Sequence, residues 1–190
     1  DGEAPHRFLK SVPMGGAYLL RALWVQLGIP DALSQCLKDR SFTSPVEWAA
    51  FAMTANRALA PDSKRGVEEW VREDVALGNP ESIELQHLYR AMDFLLEYRE
   101  IIHKEVFFAV ADLLNLEVDL IFFDTTSTYF EMDEEDENGL RQYGHSKDHR
   151  PDLPQIVIGL AVTKEGVPVK CWTMPGNTSD MKTVETVKND

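Results

Sequence analysis

The stretch Glu117-Val118-Asp119-Leu120-Ile121-Phe122-Phe123-Asp124-Thr125-Thr126-Ser127-Thr128 is where the chain changes its periodicity. Leu120-Ile121-Phe122-Phe123 is a short bulky run, and the β-branched Thr125, Thr126 and Thr128 follow it. That pattern predicts a buried strand emerging into a more exposed one. Residues 156–163 predict a second strand and 167–174 a third. Lys164-Glu165-Gly166 joins them, with a glycine able to take the left-handed conformation of a hairpin turn. Residues 118–190 therefore read as an antiparallel β-meander. Gly176-Asn177-Thr178-Ser179-Asp180, with Val184 and Val187 behind it, predicts a capped helix start at the end.

Upstream of residue 117 the apolar residues recur at helical spacing. Leu19, Leu20, Leu23, Trp24 and Leu27 predict an amphipathic helix over 17–27, ended by Gly28 and the Ile29-Pro30 pair, with a short helix following through Leu37. Ser44-Pro45-Val46-Glu47 predicts a helix start in which the serine caps free N–H groups, the proline takes the first position and the glutamate closes a capping box. That helix runs to about Leu59 and stops near Pro61. A weaker amphipathic stretch covers 64–77, punctuated by Gly78-Asn79-Pro80. From Ser82 to Asn115 the pattern Leu85, Leu88, Met92, Leu95, then Ile102, Val106, Val110, Leu113 is helical, as one rod or as two helices breaking near Tyr98. The expected fold class is α+β, with a helical region over 1–117 and a sheet region over 118–190.

Composition narrows the function classes. A chain of 190 residues with 44% hydrophobic residues can bury a real core. Its formal net charge of -13 is opposite in sign to that of a domain that grips nucleic acid through phosphates. Part of the acidity is local, because Glu131-Met132-Asp133-Glu134-Glu135-Asp136-Glu137 is acidic at all but one position and reads as a solvated, mobile loop. Cys36 and Cys171 are the only two cysteines and have no partner spacing, so neither a disulfide framework nor a cysteine-based zinc site is indicated. No apolar run approaches the roughly 18 residues of a membrane span, and no signal peptide opens the chain. The expectation is a cytoplasmic protein with no membrane partner. The chain starts at Asp1 rather than Met and stops at Asp190 inside a helix start, so both ends are expected to be cuts.

Two motifs carry chemistry. Asp124 follows a bulky strand and precedes Thr125-Thr126-Ser127-Thr128, a place where a scaffold holds a carboxylate rigidly and open to solvent or a hard cation such as Mg2+. Its structural alternative is a carboxylate bonded into a local turn. The loop Tyr143-Gly144-His145-Ser146-Lys147-Asp148-His149-Arg150-Pro151-Asp152 offers Lys147 and Arg150 to phosphate oxygens, or else pairs its charges internally. His145 and His149 lack a third ligand nearby, which argues against zinc. Asp180 suits the first turn of the last helix. Trp24, Trp48, Trp70 and Trp172 read as core or groove aromatics.

Four ordered blocks then carry a resemblance. Phe122-Phe123-Asp124-Thr125-Thr126-Ser127, the run from Gly144-His145-Ser146-Lys147-Asp148-His149-Arg150-Pro151-Asp152 to Leu160, Gly166-Val167-Pro168-Val169, and Pro175-Gly176-Asn177-Thr178-Ser179-Asp180 resemble bacterial insertion-sequence DDE transposases of the group with a Tyr-Arg-Glu-Lys signature. The stretch Gly15-Gly16-Ala17-Tyr18-Leu19-Leu20-Arg21-Ala22-Leu23-Trp24 is similar to the helical region upstream in those proteins.

The resemblance implies an RNase H-like domain that begins with a three-strand meander, incomplete over 118–190 with an acidic and polar loop at 131–154. It makes the helical region a DNA-binding or dimerisation part. It places the first catalytic aspartate on Asp124, a ligand, with two later carboxylates, for two Mg2+ or Mn2+ ions that cut and join DNA at element ends and target. Those later residues belong to a further strand and helix that nothing after Asp180 supplies; Asp148, Asp152 and Asp180 are not members of the set. The chain is therefore expected to be an inactive fragment, nucleoid-associated when complete, possessing an unprotected sheet edge and face, and dependent on a partner such as a second copy in a homodimer. Two rival classes stand beside it. Asp124-Thr125-Thr126-Ser127-Thr128 also resembles the nucleophile motif of haloacid-dehalogenase-type phosphotransferases. Alternatively, the helical region acts as a non-catalytic DNA-binding or dimerisation remnant.

Overall fold

The computed structural model describes residues 10–38, 45–78, 82–114 and 121–190. The chain separates into two compact units, Asp1–Asn115 and Leu116–Asp190. Among the described residues the architecture is α+β: six helices in the first unit, then a three-stranded antiparallel sheet and one helix in the second.

In the first unit α1 (Gly15–Gln26) and α2 (Ile29–Leu37) meet at Gly28, whose φ of 68° is the left-handed conformation that only glycine adopts without strain. Pro30 sits in the first turn of α2, where its missing N–H costs nothing. α3 (Val46–Leu59) is the centre of the unit and packs on α1, α2, α4 (Lys64–Glu73) and α5 (Leu85–Glu97). It can do so because Ala49, Ala50, Ala52 and Ala55 are buried and short, while the buried Phe51 ring packs edge-on against Trp24 and Trp48. Asn56 Oδ1 accepts the Asp62 N–H at 3.2 Å and shapes the turn into α4, which Ser63 caps by accepting the Gly66 N–H at 3.1 Å. α5 starts with the Glu68 carboxylate on the Leu85 N–H at 2.9 Å and His87 Nδ1 on the Glu84 N–H at 3.1 Å. The rod does break at Tyr98, and α6 (Arg99–Leu114) follows.

Several expectations about this unit are corrected. The buried face of α1 is Ala17 and Trp24, while Leu19 is 61% and Leu23 43% exposed. The deciding contacts are the close approach of Gly16 to Leu59 and the pull of Arg21 and Trp24 toward Glu47 on α3. Leucine count does not choose the face. Glu47 closes no capping box with Ser44 that can be described, since Ser44 lies outside the described residues, and its carboxylate is taken by those two donors. On α5 the inward row is Leu88, Ala91 and Phe94, which leaves Met92 half-exposed. Asn79, Pro80, Asn115, Glu117 and Leu120 lie outside the described residues.

The second unit is a meander in the order β1 (Ile121–Tyr129), β2 (Gln155–Thr163), β3 (Pro168–Pro175). Thr125 stands opposite Gly159, and Gly159 opposite Trp172. Gly166, with φ 83°, makes the β2–β3 turn and donates to the Thr163 carbonyl at 2.9 Å. Ser179 caps α7 (Asp180–Asn189), accepting the Lys182 N–H at 3.4 Å. The period of two puts Phe123, Thr125, Ser127 and Tyr129 on one face and Phe122, Asp124, Thr126 and Thr128 on the other. All four of the latter are exposed, as are Leu160, Cys171 and Thr173, which share their face.

The burial gradient along β1 is therefore the reverse of the expected one. Ile121 and Phe122 are half-exposed, whereas Ser127 is buried, because the 140–154 loop packs at the far end of the strand. The acidic run is solvated as expected, with Glu131, Asp133, Glu134, Glu135 and Glu137 exposed, but it has an internal anchor. It folds into a turn in which the Asp136 carboxylate takes Arg141 Nε at 2.9 Å and the Arg141 N–H at 3.1 Å. Tyr143 Oη then donates to the Asp133 carbonyl at 2.8 Å. Arg141, Gln142 and Tyr143 supply the partners that the run itself lacks.

Candidate active site at Asp124 and Lys147

Asp124 lies near the middle of β1, on the open face, opposite Leu160 of β2. Its side chain is 97% exposed, and Oδ1 accepts the N–H of the next residue, Thr125, at 2.7 Å. A carboxylate on a central strand position cannot wander far, since its Cα is pinned by the ladder to β2. The site is thus rigid at its base and open at its oxygens.

The loop between β1 and β2 brings a cation to it. Ser146 is buried and organises a tight turn: its carbonyl accepts the His149 N–H at 3.3 Å and its Oγ the Arg150 N–H at 3.1 Å. His149 takes φ 59° to complete that turn. The Lys147 N–H donates to Ser127 Oγ at 3.1 Å, which fixes the start of the side chain against β1. Lys147 Nζ then donates to the Thr125 carbonyl and, at 3.0 Å, to Thr125 Oγ1, and lies 3.9 Å from Asp124 Oδ1.

Arg150 goes elsewhere. Its guanidinium forks onto Asp152, with Nε at 3.0 Å from Oδ1 and Nη2 at 2.8 Å from Oδ2, and stacks 5.3 Å from the centre of the Tyr129 ring. Hydrogen bonding to Arg150 holds the Asp152 carboxyl below the usual carboxylate range. Of the two cations singled out in the loop, Lys147 therefore meets Asp124 and Arg150 is paired within the loop. His145 and His149 gather no further ligand: among the described residues no three His, Cys, Asp or Glu side chains come together for a metal ion. Asp180 stands in the first turn of α7.

Thr125, Ser127 and Ser146 are the positioning residues that sequence reading missed. The period of two does place Thr125 and Ser127 on one face, but their bonds to Lys147 span about twenty residues and leave no local signal.

The residues present do not fit a two-metal centre by themselves. They supply one carboxylate, and its nearest charged neighbour is an ammonium, which repels a second cation. No family model, curated protein or solved structure matches the chain. No described helix is long and apolar enough to cross a membrane.

Proposed function

We propose that this chain carries the helical region and the first catalytic block of a DDE transposase of the Tyr-Arg-Glu-Lys group. The complete protein then cuts and joins DNA strands at insertion-sequence ends by metal-assisted phosphoryl transfer. The observation that carries the reading is an exposed aspartate held on the first strand of an antiparallel meander, with the Gly144–Asp152 loop delivering Lys147 beside it. Such a meander is how an RNase H-like domain begins, and the carboxylate faces the open side where further ligands and DNA have room.

In this reading Asp124 is one of three ligands of a Mg2+ or Mn2+ pair, and Lys147 and Arg150 belong to the surface that meets the DNA. With one carboxylate the set is incomplete, so the 190-residue chain cleaves nothing alone. The haloacid-dehalogenase alternative needs a helical cap after the aspartate motif. Here Asp124 is followed by the rest of β1, a loop and β2, with no helix before α7 among the described residues.

The test uses a version of the protein that carries all three carboxylates. Asp124→Asn is expected to abolish strand cleavage while element-end binding persists, and cleavage at the unsubstituted rate defeats the assignment. The chain of 190 residues should bind end DNA with an affinity that falls steeply as salt rises, through the helical region. A phosphorylated Asp124, trapped with beryllofluoride, would instead favour the phosphotransferase class.

A further inference from the structure

We propose that Asn138 is a site of spontaneous deamidation, with water as the reagent, and that the isoaspartate it leaves opens the turn anchoring the acidic run. Nothing in this depends on the role of Asp124. Asn138 is the one asparagine of the chain that glycine follows. The Gly139 N–H donates to the Asp136 carbonyl at 3.4 Å, which closes a four-residue turn over 136–139. Asn138, third in that turn, takes φ 59°, and Glu137 before it does not lie at positive φ, the pattern of a type II turn. Asparagine tolerates that conformation where most residues do not.

In the reaction the Gly139 nitrogen gives up its proton and bonds to Asn138 Cγ. The Cγ–Nδ2 bond breaks, and the NH2 group leaves with that proton as ammonia, so a succinimide ring remains. Water then adds to one of the two ring carbonyls. Opening at the side-chain carbonyl gives aspartate; opening at the main-chain carbonyl gives isoaspartate, in which the backbone runs through Cβ and Cγ and is one carbon longer. Nothing is oxidised or reduced. Asn138 is exposed, and its side-chain amide bonds to no other group among the described residues. Gly139 has no side chain to shield its nitrogen, and its hydrogen bond is at the long end of the range. Asn177 is exposed too, but the nitrogen after it belongs to the β-branched Thr178 and donates to the Pro175 carbonyl at 2.9 Å. Asn56 is buried, with Oδ1 taken by the Asp62 N–H.

The turn has no room for the longer backbone. Gly139 lies so close to Asp136 that a Cβ built on it would stand 2.4 Å from Asp136 Cβ. An extra main-chain carbon between residues 138 and 139 therefore pushes Gly139 off the Asp136 carbonyl. It also shifts the two-residue link through which Arg141 Nε reaches the Asp136 carboxylate at 2.9 Å and the Arg141 N–H reaches it at 3.1 Å. The new carboxylate adds negative charge to a run whose charges already repel one another.

The experiment ages the full chain at neutral pH and physiological temperature. Peptide mapping by mass spectrometry follows each asparagine, and an isoaspartyl carboxyl methyltransferase with a labelled methyl donor counts isoaspartate. Asn138 is expected to convert at least tenfold faster than Asn177, with isoaspartate among its products. The aged fraction should lose the amide shifts that Gly139 and Arg141 show in fresh protein, while those of β2 and β3 stay. Asn138→Gly supplies the positive φ without an amide to lose, so it should take no label in the loop and keep its fresh Gly139 and Arg141 shifts throughout. The proposal is overturned if Asn138 converts no faster than Asn177, if its product is aspartate alone, if chains carrying isoaspartate at 138 keep the fresh Arg141 shift, or if Asn138→Gly loses that shift on ageing as the unsubstituted chain does.

Discussion

At Glu47 one carboxylate serves two donors. Oε1 accepts Trp24 Nε1 at 2.7 Å and Oε2 accepts Arg21 Nη2 at 3.3 Å, while the guanidinium lies 4.1 Å from the Trp48 ring centre and 5.1 Å from that of Phe51. Both Arg21 and Glu47 are only about a quarter exposed, so removing the carboxylate strands a charged donor and an indole N–H with little water to replace it. Glu47→Ala should lower the stability of the helical unit by about 2 kcal/mol, read as a shifted denaturant midpoint with unchanged slope and a change in Trp24 emission. Glu47→Gln keeps an acceptor and should cost less. A midpoint unmoved by Glu47→Ala would mean that this cluster decorates the α1–α3 contact and does not hold it. At Asp136 the prediction concerns pH. Hydrogen bonding to Arg141 holds its carboxyl below the usual range, so the stabilisation is complete above about pH 4 and is lost as pH falls through the lowered value. The amides of Asn138 and Gly139 should therefore keep their folded shifts down to about pH 4 and move only below it, and loss of the turn already at pH 5 to 6 would contradict the pairing.

At the scale of elements, α3 and the α1–α2 turn are the sensitive points. Phe51 is fully buried against Trp24 and Trp48, and Phe51→Ala should cost about 3–5 kcal/mol in the helical unit. Gly28→Ala meets two obstacles, a φ of 68° and the Ala109 methyl 3.3 Å from the added carbon, and should cost about 1–2 kcal/mol. Calorimetry of both variants checks the order. Element positions were largely legible before the structure: the strands expected at 156–163 and 167–174 stand at 155–163 and 168–175, and Gly166 makes the expected left-handed turn, whereas the structure decides for two helices breaking at Tyr98 over one rod. Helix faces were less so. On α1 and α5 the inward residues include small ones, Ala17 and Ala91, because close approach to a neighbour rewards a short side chain, and hydrophobicity alone does not register that.

For the molecule as a whole, the apolar core is unevenly shared. The large buried cluster lies entirely in the helical unit, whereas the sheet unit buries Ala161 and Met174 and leaves Phe122, Leu160 and Cys171 exposed. Native-state amide exchange should therefore show α3 opening only at the highest free energies and the sheet opening at distinctly lower ones; equal protection in both units would refute the uneven division. The sequence by itself determined the α+β class, the order of elements and the candidacy of Asp124, because periodicity, caps and turn residues are local and are written in neighbouring positions. The tertiary structure alone decided that Lys147 and not Arg150 meets Asp124, that Arg141 folds the acidic run, and that Glu47 binds Arg21 and Trp24. Those are contacts between residues from 5 to 26 positions apart in which one charged group chooses among several partners, and the choice is made by which backbone the packing brings within hydrogen-bond reach.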